Sequence, residues 1–138
     1  MAYDKDNVFA RIVRGEIPCH KVYEDADTLA FMDIMPQAEG HTLIVPKQAG
    51  EDIFSTPPDS LAAAIRTVQK VAGAVKKVFG PPGVMVAQLN GSAAGQGVFH
   101  LHFHVIPGHA GKEFRIHAAE QADHKLLAEH AARIRAAL

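Results

Sequence analysis

The sequence predicts an α+β fold, with a largely antiparallel sheet of about five strands, one long helix, a short N-terminal helix and a C-terminal helix. Three observations lead to this fold class. Short segments rich in apolar and β-branched residues recur between turn residues, a stretch over about 57–79 has helical periodicity, and "VFHLHFHVIP" alternates strictly between histidine and apolar residues.

The first 46 residues predict a helix followed by three strands. In "DNVFARIVRG", Asp6 or Asn7 can cap a short helix and Gly15 can end it. "HKVYED" and "TLAFMDI" flank an Asp-rich turn, which predicts a β-hairpin. "GHTLIVP" is a third strand, which Pro46 ends because proline cannot donate a ladder hydrogen bond.

The long helix is predicted to begin at Pro57–Pro58 and to end before "GPPG". Its apolar stripe consists of Leu61, Ala64, Ile65, Val68, Val71, Ala72, Val75, Val78 and Phe79. Arginine and lysine residues lie opposite. The stripe is wider than one sheet face needs, so part of it is free for another contact.

Two further strands and a helix complete the predicted fold. "VMVAQL" is the fourth strand, "NGSAAGQG" a loop, and "VFHLHFHVIP" the fifth strand. From about Asp123, Leu127, Ile134 and Leu138 have helical spacing. We predict one domain over 1–138, in which 108–122 has no readable pattern.

Composition excludes several classes of partner. The chain has 138 residues and a formal net charge of −1, so no general attraction to nucleic acid or to a membrane surface is expected. No apolar run approaches the ~20 residues of a membrane helix. The single cysteine, Cys19, excludes an internal disulfide and a cysteine-rich zinc site, and it favours a reducing, cytoplasmic location.

Three histidines in "FHLHFHVI" occupy every second position. On a strand, His100, His102 and His104 would share one face, and the apolar residues between them would share the other. We interpret the remaining histidines, apart from His41, as surface residues: His20, His109, His117, His124 and His130.

Two kinds of chemistry fit aligned imidazoles. Histidines are common zinc ligands, but the outer pair would be roughly 13 Å apart and the segment contains no carboxylate. A neutral imidazole is also a good nucleophile near pH 7, with an unperturbed pKa of about 6.5. Covalent catalysis at phosphorus requires donors for phosphate oxygens, and the glycine loop "NGSAAGQG" directly before the strand could supply backbone amides.

"HLHFHVI" resembles the signature of the histidine triad family, His-x-His-x-His followed by apolar residues. "VFARIVRGEIP" and "VYEDADTLAFMDIMPQAEGHTLIVPK" also resemble its blocks, in its order, and the resemblance extends over about 1–107. It implies an α+β protomer that forms a homodimer. It also implies hydrolysis or transfer at the α-phosphate of nucleotide conjugates, with a purine nucleotide (AMP or GMP conjugates) as partner and no cofactor. The bacterial, nucleotide-binding (Hint-like) branch fits best.

The resemblance assigns roles residue by residue. His102 matches the nucleophile, His100 and His104 match its flanking pair, and His41 matches a supporting histidine. Asp33 matches the carboxylate that accepts hydrogen bonds from ribose. The other substrate-binding matches form a base-pocket wall and a phosphate side: Val8, Phe9, Ile12, Phe31 and Ile34, then Asn90, Gln96, Gly97 and Val98.

The chain departs from the family pattern at two places. Gly97 stands where the family often has a serine or threonine, which affects leaving-group preference and rate. Some bacterial relatives bind zinc through Cys-x-x-Cys, but Asn7 and Ala10 stand at those positions, and Ala49 stands near an expected histidine. We therefore predict no metal. A dinucleoside polyphosphate hydrolase, a binding module with little turnover and a metal-dependent enzyme remain alternatives.

Overall fold

The computed structural model describes residues 2–108 and 120–138, and every structural statement below concerns these residues. Its elements are α1 (Val8–Val13), β1 (Lys21–Glu24), β2 (Thr28–Met32), β3 (Thr42–Pro46), α2 (Pro58–Phe79), β4 (Gly83–Ala87), β5 (Phe103–Gly108) and α3 (His124–Ala137). A 3-10 turn covers Ser92–Ala94. The predicted α+β fold class is confirmed.

The five strands form one antiparallel sheet in the order β1-β2-β3-β5-β4. β2 and β3 are buried at every position because both faces of the sheet are covered. On β2, Ala30 and Met32 join the core beneath α2 and α3, whereas Leu29 and Phe31 join a second cluster with Phe9 of α1. The two-residue period of the strands therefore divides the protein into two apolar layers.

Local sequence determines where the helices begin and end. The Asn7 side chain accepts a hydrogen bond from the Ala10 amide and caps α1, as predicted. Proline begins α2, and Gly80 ends it in the left-handed conformation at φ +58°. Asp123 caps α3 through the Lys125 amide. No helix among the described residues is long and apolar enough to cross a membrane.

Two sequence-based expectations differ from the structure. The fifth strand begins at Phe103 rather than near Val98, so His100 and His102 precede it. His130 is buried against the Phe79 ring, with centroids 5.1 Å apart, and is not a surface residue. Ile65 of the predicted α2 stripe is 48% exposed, as a stripe wider than one sheet face allows, and the core-facing side of α2 consists of Ala64, Thr67, Val68, Val71, Ala74 and Val75. His109 and His117 lie outside the described residues.

Candidate active site

The central strands bring three of the four predicted catalytic histidines to one face of the sheet. His104 lies in β5 opposite Leu43 of β3. His102 precedes β5, and its ring centroid is 5.0 Å from that of His104. His41 directly precedes β3 and hydrogen-bonds to His104. This face is opposite α2, and a cavity of about 440 Å³ opens between it and α1, a volume typical of small-molecule sites.

The cavity brings together ten of the predicted site residues: Val8, Phe9, Ile12, Phe31, Asp33, Ile34, Gly97, Val98, His102 and His104. His41, His100, Asn90 and Gln96 do not line it. Six lining residues were not predicted from the sequence: Ile17, Pro18, Cys19, Met32, Met35 and Leu43. Ile17, Pro18 and Cys19 follow α1. The apolar character of this non-helical segment was the sequence signal that could have predicted them.

The hydrogen atom on His102 can be assigned from its partner. Nδ1 of His102 lies 2.7 Å from the backbone carbonyl oxygen of His100. A carbonyl can only accept, so the neutral ring carries its hydrogen on Nδ1 and its lone pair on Nε2. Phe9 packs edge-on against this ring, with centroids 4.9 Å apart. The hydrogen bond and the ring contact therefore fix the orientation of a neutral imidazole in the cavity wall.

His41 and His104 form a hydrogen-bonded pair with defined donors. The backbone amide of Gln37 donates a hydrogen bond to Nδ1 of His41 at 3.0 Å, so neutral His41 carries its hydrogen on Nε2. That Nε2 lies 3.0 Å from Nδ1 of His104 and 3.4 Å from Oδ2 of Asp33. The shorter contact makes Nδ1 of His104 the acceptor. His104 then carries its hydrogen on Nε2 and can act as a donor.

His41 is held in the neutral form. It is fully buried, and burial together with the neighbouring imidazoles of His104 and His102 lowers its pKa to about 3. Asp33 opposes this shift, but its side chain is partly solvated, and the direction set by burial prevails. Burial also lowers the pKa of His100, despite its hydrogen bond to the Pro46 carbonyl.

Gly40 allows α2 to approach the turn that carries His41. Its φ of +91° is a left-handed conformation, and a Cβ atom there would lie 2.6 Å from Cε2 of Phe79. The His41 amide bonds to the Ala38 carbonyl, and the Asp33 amide bonds to the His41 carbonyl. The turn between β2 and β3 therefore fixes Asp33 and His41 side by side.

Two predicted phosphate-side residues organise loops instead of lining the cavity. Gln96 is buried, accepts from the Gly91 amide, and donates to the carbonyls of Glu51 and Val98. Asn90 accepts from the Ile53 amide and exchanges hydrogen bonds with Gln88. The side-chain amides that the family resemblance assigns to the phosphate therefore form hydrogen bonds to loop groups in this structure.

The glycine loop also differs from its predicted role as an open cradle of amides. The amides of Ala94, Gly95 and Gln96 donate to carbonyls within the loop, and that of Gly91 donates to Gln96. These backbone donors therefore form hydrogen bonds within the loop and its 3-10 turn. Gly97 and Val98 are the members of this region that reach the cavity.

Comparison with known proteins identifies the family. Residues 14–111 match the family model described as the HIT domain. The chain belongs to the HIT family. The HIT protein described here is 45% identical over 104 residues to an uncharacterized HIT-like protein of Methanocaldococcus jannaschii, covering 75% of this chain and 80% of that one. It is 42% identical over 100 residues to an adenosine 5'-monophosphoramidase of Schizosaccharomyces pombe, covering 72% of each.

Solved structures agree with this assignment and support the Hint-like branch. A HIT-like protein from Bartonella henselae superposes with a TM-score of 0.93 at 47% identity, covering 99% of this chain and 100% of that one. A zinc-bound histidine triad protein from Mycobacterium smegmatis superposes with a TM-score of 0.83 at 34% identity, covering 96% of this chain and 92% of that one. The family includes nucleotide-binding proteins and hydrolases.

Among the residues that the structure describes, one group in this HIT protein offers metal-ligand atoms. Asp33, His41 and His104 each place one such atom within 4.8 Å of the other two, and this donor set is one that zinc accepts. Asp33 directly follows β2, so this carboxylate is distant from the histidines in the sequence and is brought to them by the fold. The 3.0 Å contact between His41 and His104 is a hydrogen bond that Nε2–H of His41 donates, and a metal bound there would have to displace this hydrogen. The geometry therefore favours a hydrogen-bonded pair of histidines over a metal site at this position.

Proposed function

We propose that this protein is a hydrolase or transferase that acts at the α-phosphate of nucleoside monophosphate conjugates through a nucleotidyl intermediate on His102. One observation carries the proposal: Nδ1 of His102 is held 2.7 Å from the His100 carbonyl, in the wall of a nucleotide-sized cavity. That contact directs the lone pair of Nε2 away from the backbone. The adenosine 5'-monophosphoramidase among the relatives supports the same reaction class.

The covalent step follows from the hydrogen atoms already assigned. The lone pair of His102 Nε2 forms a bond to the α-phosphorus, and the bond from phosphorus to the leaving nitrogen or oxygen breaks. Nδ1 retains its hydrogen and its bond to the His100 carbonyl while positive charge develops on the ring. His104 Nε2–H is placed to donate to the phosphate or to the leaving group. Water then attacks phosphorus and gives up a proton, which replaces the proton that the leaving group took up in the first step; the bond to Nε2 breaks, and the monophosphate leaves.

The cavity has an apolar part, which suits the base of a nucleoside, and a polar part, which suits its ribose. Phe9, Ile12 and Phe31 lie on its apolar side and suit a purine base. The exposed apolar side chains Val8 and Ile34 stand at its edge. Asp33 is the carboxylate we assign to the ribose hydroxyls, which would share it with the Met35 amide bonded at 2.8 Å.

The phosphate side is reduced compared with the family pattern. Asn90 and Gln96 are engaged in loop contacts, and Gly97 has no hydroxyl. We assign phosphate binding to the backbone of Gly97 and Val98 and to the histidines, and we propose that the reaction proceeds without a metal or other cofactor.

A substrate panel with rapid quenching tests the proposed function. We expect adenosine and guanosine 5'-phosphoramidates to be cleaved faster than dinucleoside polyphosphates, and ribose forms faster than deoxyribose forms. Acid-labile nucleotidyl-histidine should be detected by mass spectrometry on the peptide that contains His102. Tight nucleotide binding without turnover would assign the protein as a binding module. Activity that a chelator removes, together with bound metal, would favour a metal-dependent enzyme.

A homodimer is the second part of the proposal. β4 is an edge strand, and Val86 on it is 47% exposed. Ile65 on the outer side of α2 is similarly exposed. An edge strand beside apolar surface is a natural site for pairing with a second copy.

Light scattering at micromolar concentration should therefore give a mass of about 30 kDa, twice the 14.8 kDa of one chain. Val86→Lys should shift the mass toward the monomer because a twofold interface would receive the charge twice, whereas Val86→Thr should remain dimeric. A wild-type mass of 14.8 kDa throughout the concentration range would contradict the dimer and leave the His102 assignment intact.

A further inference from the structure

The N-terminal segment reaches the histidine cluster through one side chain. The hydroxyl of Tyr3 lies 2.7 Å from Nδ1 of His100, which is 97 positions away in the chain. The two rings are also in contact, with centroids 5.8 Å apart. The Asp4 carbonyl accepts hydrogen bonds from the amide and the side chain of Asn7, so the segment is attached to the start of α1.

The direction of the Tyr3 hydrogen bond can be determined. Nε2 of His100 lies 2.9 Å from the Pro46 carbonyl, which can only accept, so Nε2 carries the hydrogen. The His100 side chain is 1% exposed, and burial favours the neutral ring. A neutral ring with hydrogen on Nε2 has a lone pair on Nδ1. The Tyr3 hydroxyl is therefore the donor, and both nitrogens of His100 are held.

His100 transmits this restraint to the nucleophile through its backbone. Its carbonyl oxygen is the group that accepts from Nδ1–H of His102. On the other side of the same peptide, the Leu101 amide donates to the Gly50 carbonyl. The ring and this carbonyl belong to one residue, so a displacement of the His100 main chain would move the acceptor on which the hydrogen position of His102 depends.

The geometry points to Tyr3 as a positioning residue: its hydroxyl locks the His100 ring, and the locked residue holds the carbonyl that keeps the lone pair of His102 on Nε2. This inference rests on the proposed function for its catalytic consequence. Tyr3 is not among the residues that line the cavity, so we expect it to act on the rate of the covalent step rather than on nucleotide affinity.

Tyr3→Phe removes the donor and retains the ring. We expect kcat to fall roughly tenfold with little change in KM, because a buried acceptor loses its partner while the nucleotide contacts remain. Tyr23→Phe is the matched control, since the Tyr23 hydroxyl bonds to Asp25 and Lys70 instead. It should leave kcat unchanged. Equal effects of the two variants on kcat would overturn the inference.

Nitrogen-15 NMR of the histidine rings provides a test that needs no turnover. In the wild type, His100 should be a single tautomer with hydrogen on Nε2, and His102 a single tautomer with hydrogen on Nδ1. In Tyr3→Phe, the Nδ1 chemical shift of His100 should move to the value of a nitrogen that accepts no hydrogen bond. Signals of the second tautomer of His102 should also appear. Tyr23→Phe should change neither ring.

The two measurements separate failure of this inference from failure of the proposed function. Unchanged His100 and His102 spectra in Tyr3→Phe would overturn the inference whatever the activity, and a changed His100 spectrum with unchanged His102 tautomers would overturn it as well. A wild-type protein that cleaves none of the substrates would contradict the proposed function. The predicted change in the His102 tautomers would still support the positioning role.

Discussion

Replacing His102 by alanine should lower kcat/KM for a nucleoside phosphoramidate by at least about a thousandfold, because the proposed covalent route then has no nucleophile. The fold should survive, since the His102 side chain faces a cavity and the apolar residues beneath the sheet are unchanged. Steady-state kinetics and quench-flow detection of the nucleotidyl protein measure the effect, and thermal unfolding checks that the variant is folded.

His20→Ala is the matched control for this experiment. Its ring bonds to His124, away from the cavity, and its removal should leave kcat/KM within about twofold of the wild type, as is usual for surface substitutions. Near-native turnover by His102→Ala would show that the nucleophile lies elsewhere. Persistence of a nucleotidyl adduct in that variant would lead to the same conclusion.

The second large effect is on stability at acidic pH. The pKa of His41 is about 3 in the folded protein and about 6.5 in an unfolded chain. Between these values the unfolded state binds one proton more, so the free energy of unfolding decreases as pH falls. The contribution of His41 is fully present above about pH 6.5 and is lost progressively toward pH 3. His100, whose pKa is also lowered by burial, contributes with the same sign.

Urea titrations at several pH values between about 4 and 6 measure this effect as the slope of the free energy of unfolding against pH. Each such histidine should add up to about 1.4 kcal/mol per pH unit, and His41→Gln should remove one contribution. Glutamine can still donate toward His104. Val71→Ala is the control: it lowers stability by creating a core cavity but removes no titratable group, so its slope should equal that of the wild type. An unchanged slope in His41→Gln would mean that His41 is protonated in the folded protein.

The elements of the fold were predictable because local signals are strong in this chain. Strands β1 to β4 and the helices α1, α2 and α3 follow from apolar periodicity, Asn7 and Asp123 at helix starts, and glycines beyond helix ends. The start of β5 was not predictable in the same way. Alternation in "VFHLHFHVIP" continues beyond the ladder, because a period of two describes extended backbone whether or not a neighbouring strand pairs with it.

Burial was predicted less well than secondary structure for particular residues. His130 was expected on the surface because α3 is amphipathic and histidine is polar, yet it packs against Phe79. Ile65 was placed on the apolar stripe of α2 without being assigned to the sheet face or to another contact, and it is half exposed. Both outcomes depend on which neighbouring element covers a helix face, and a single sequence does not contain that information.

The sequence by itself determined the order of the elements, the family resemblance, and the identity of the histidines and of the apolar residues around the cavity, because these properties reside in residue types at fixed spacings. Only the tertiary structure decided how the groups meet. Asp33, His41 and His104 arrive from three chain segments, Tyr3 reaches His100 from the N-terminus, and Gln96 and Asn90 turn toward loop amides. Hydrogen positions on the imidazoles depend on such partners, since each ring nitrogen takes the role that its neighbour leaves open.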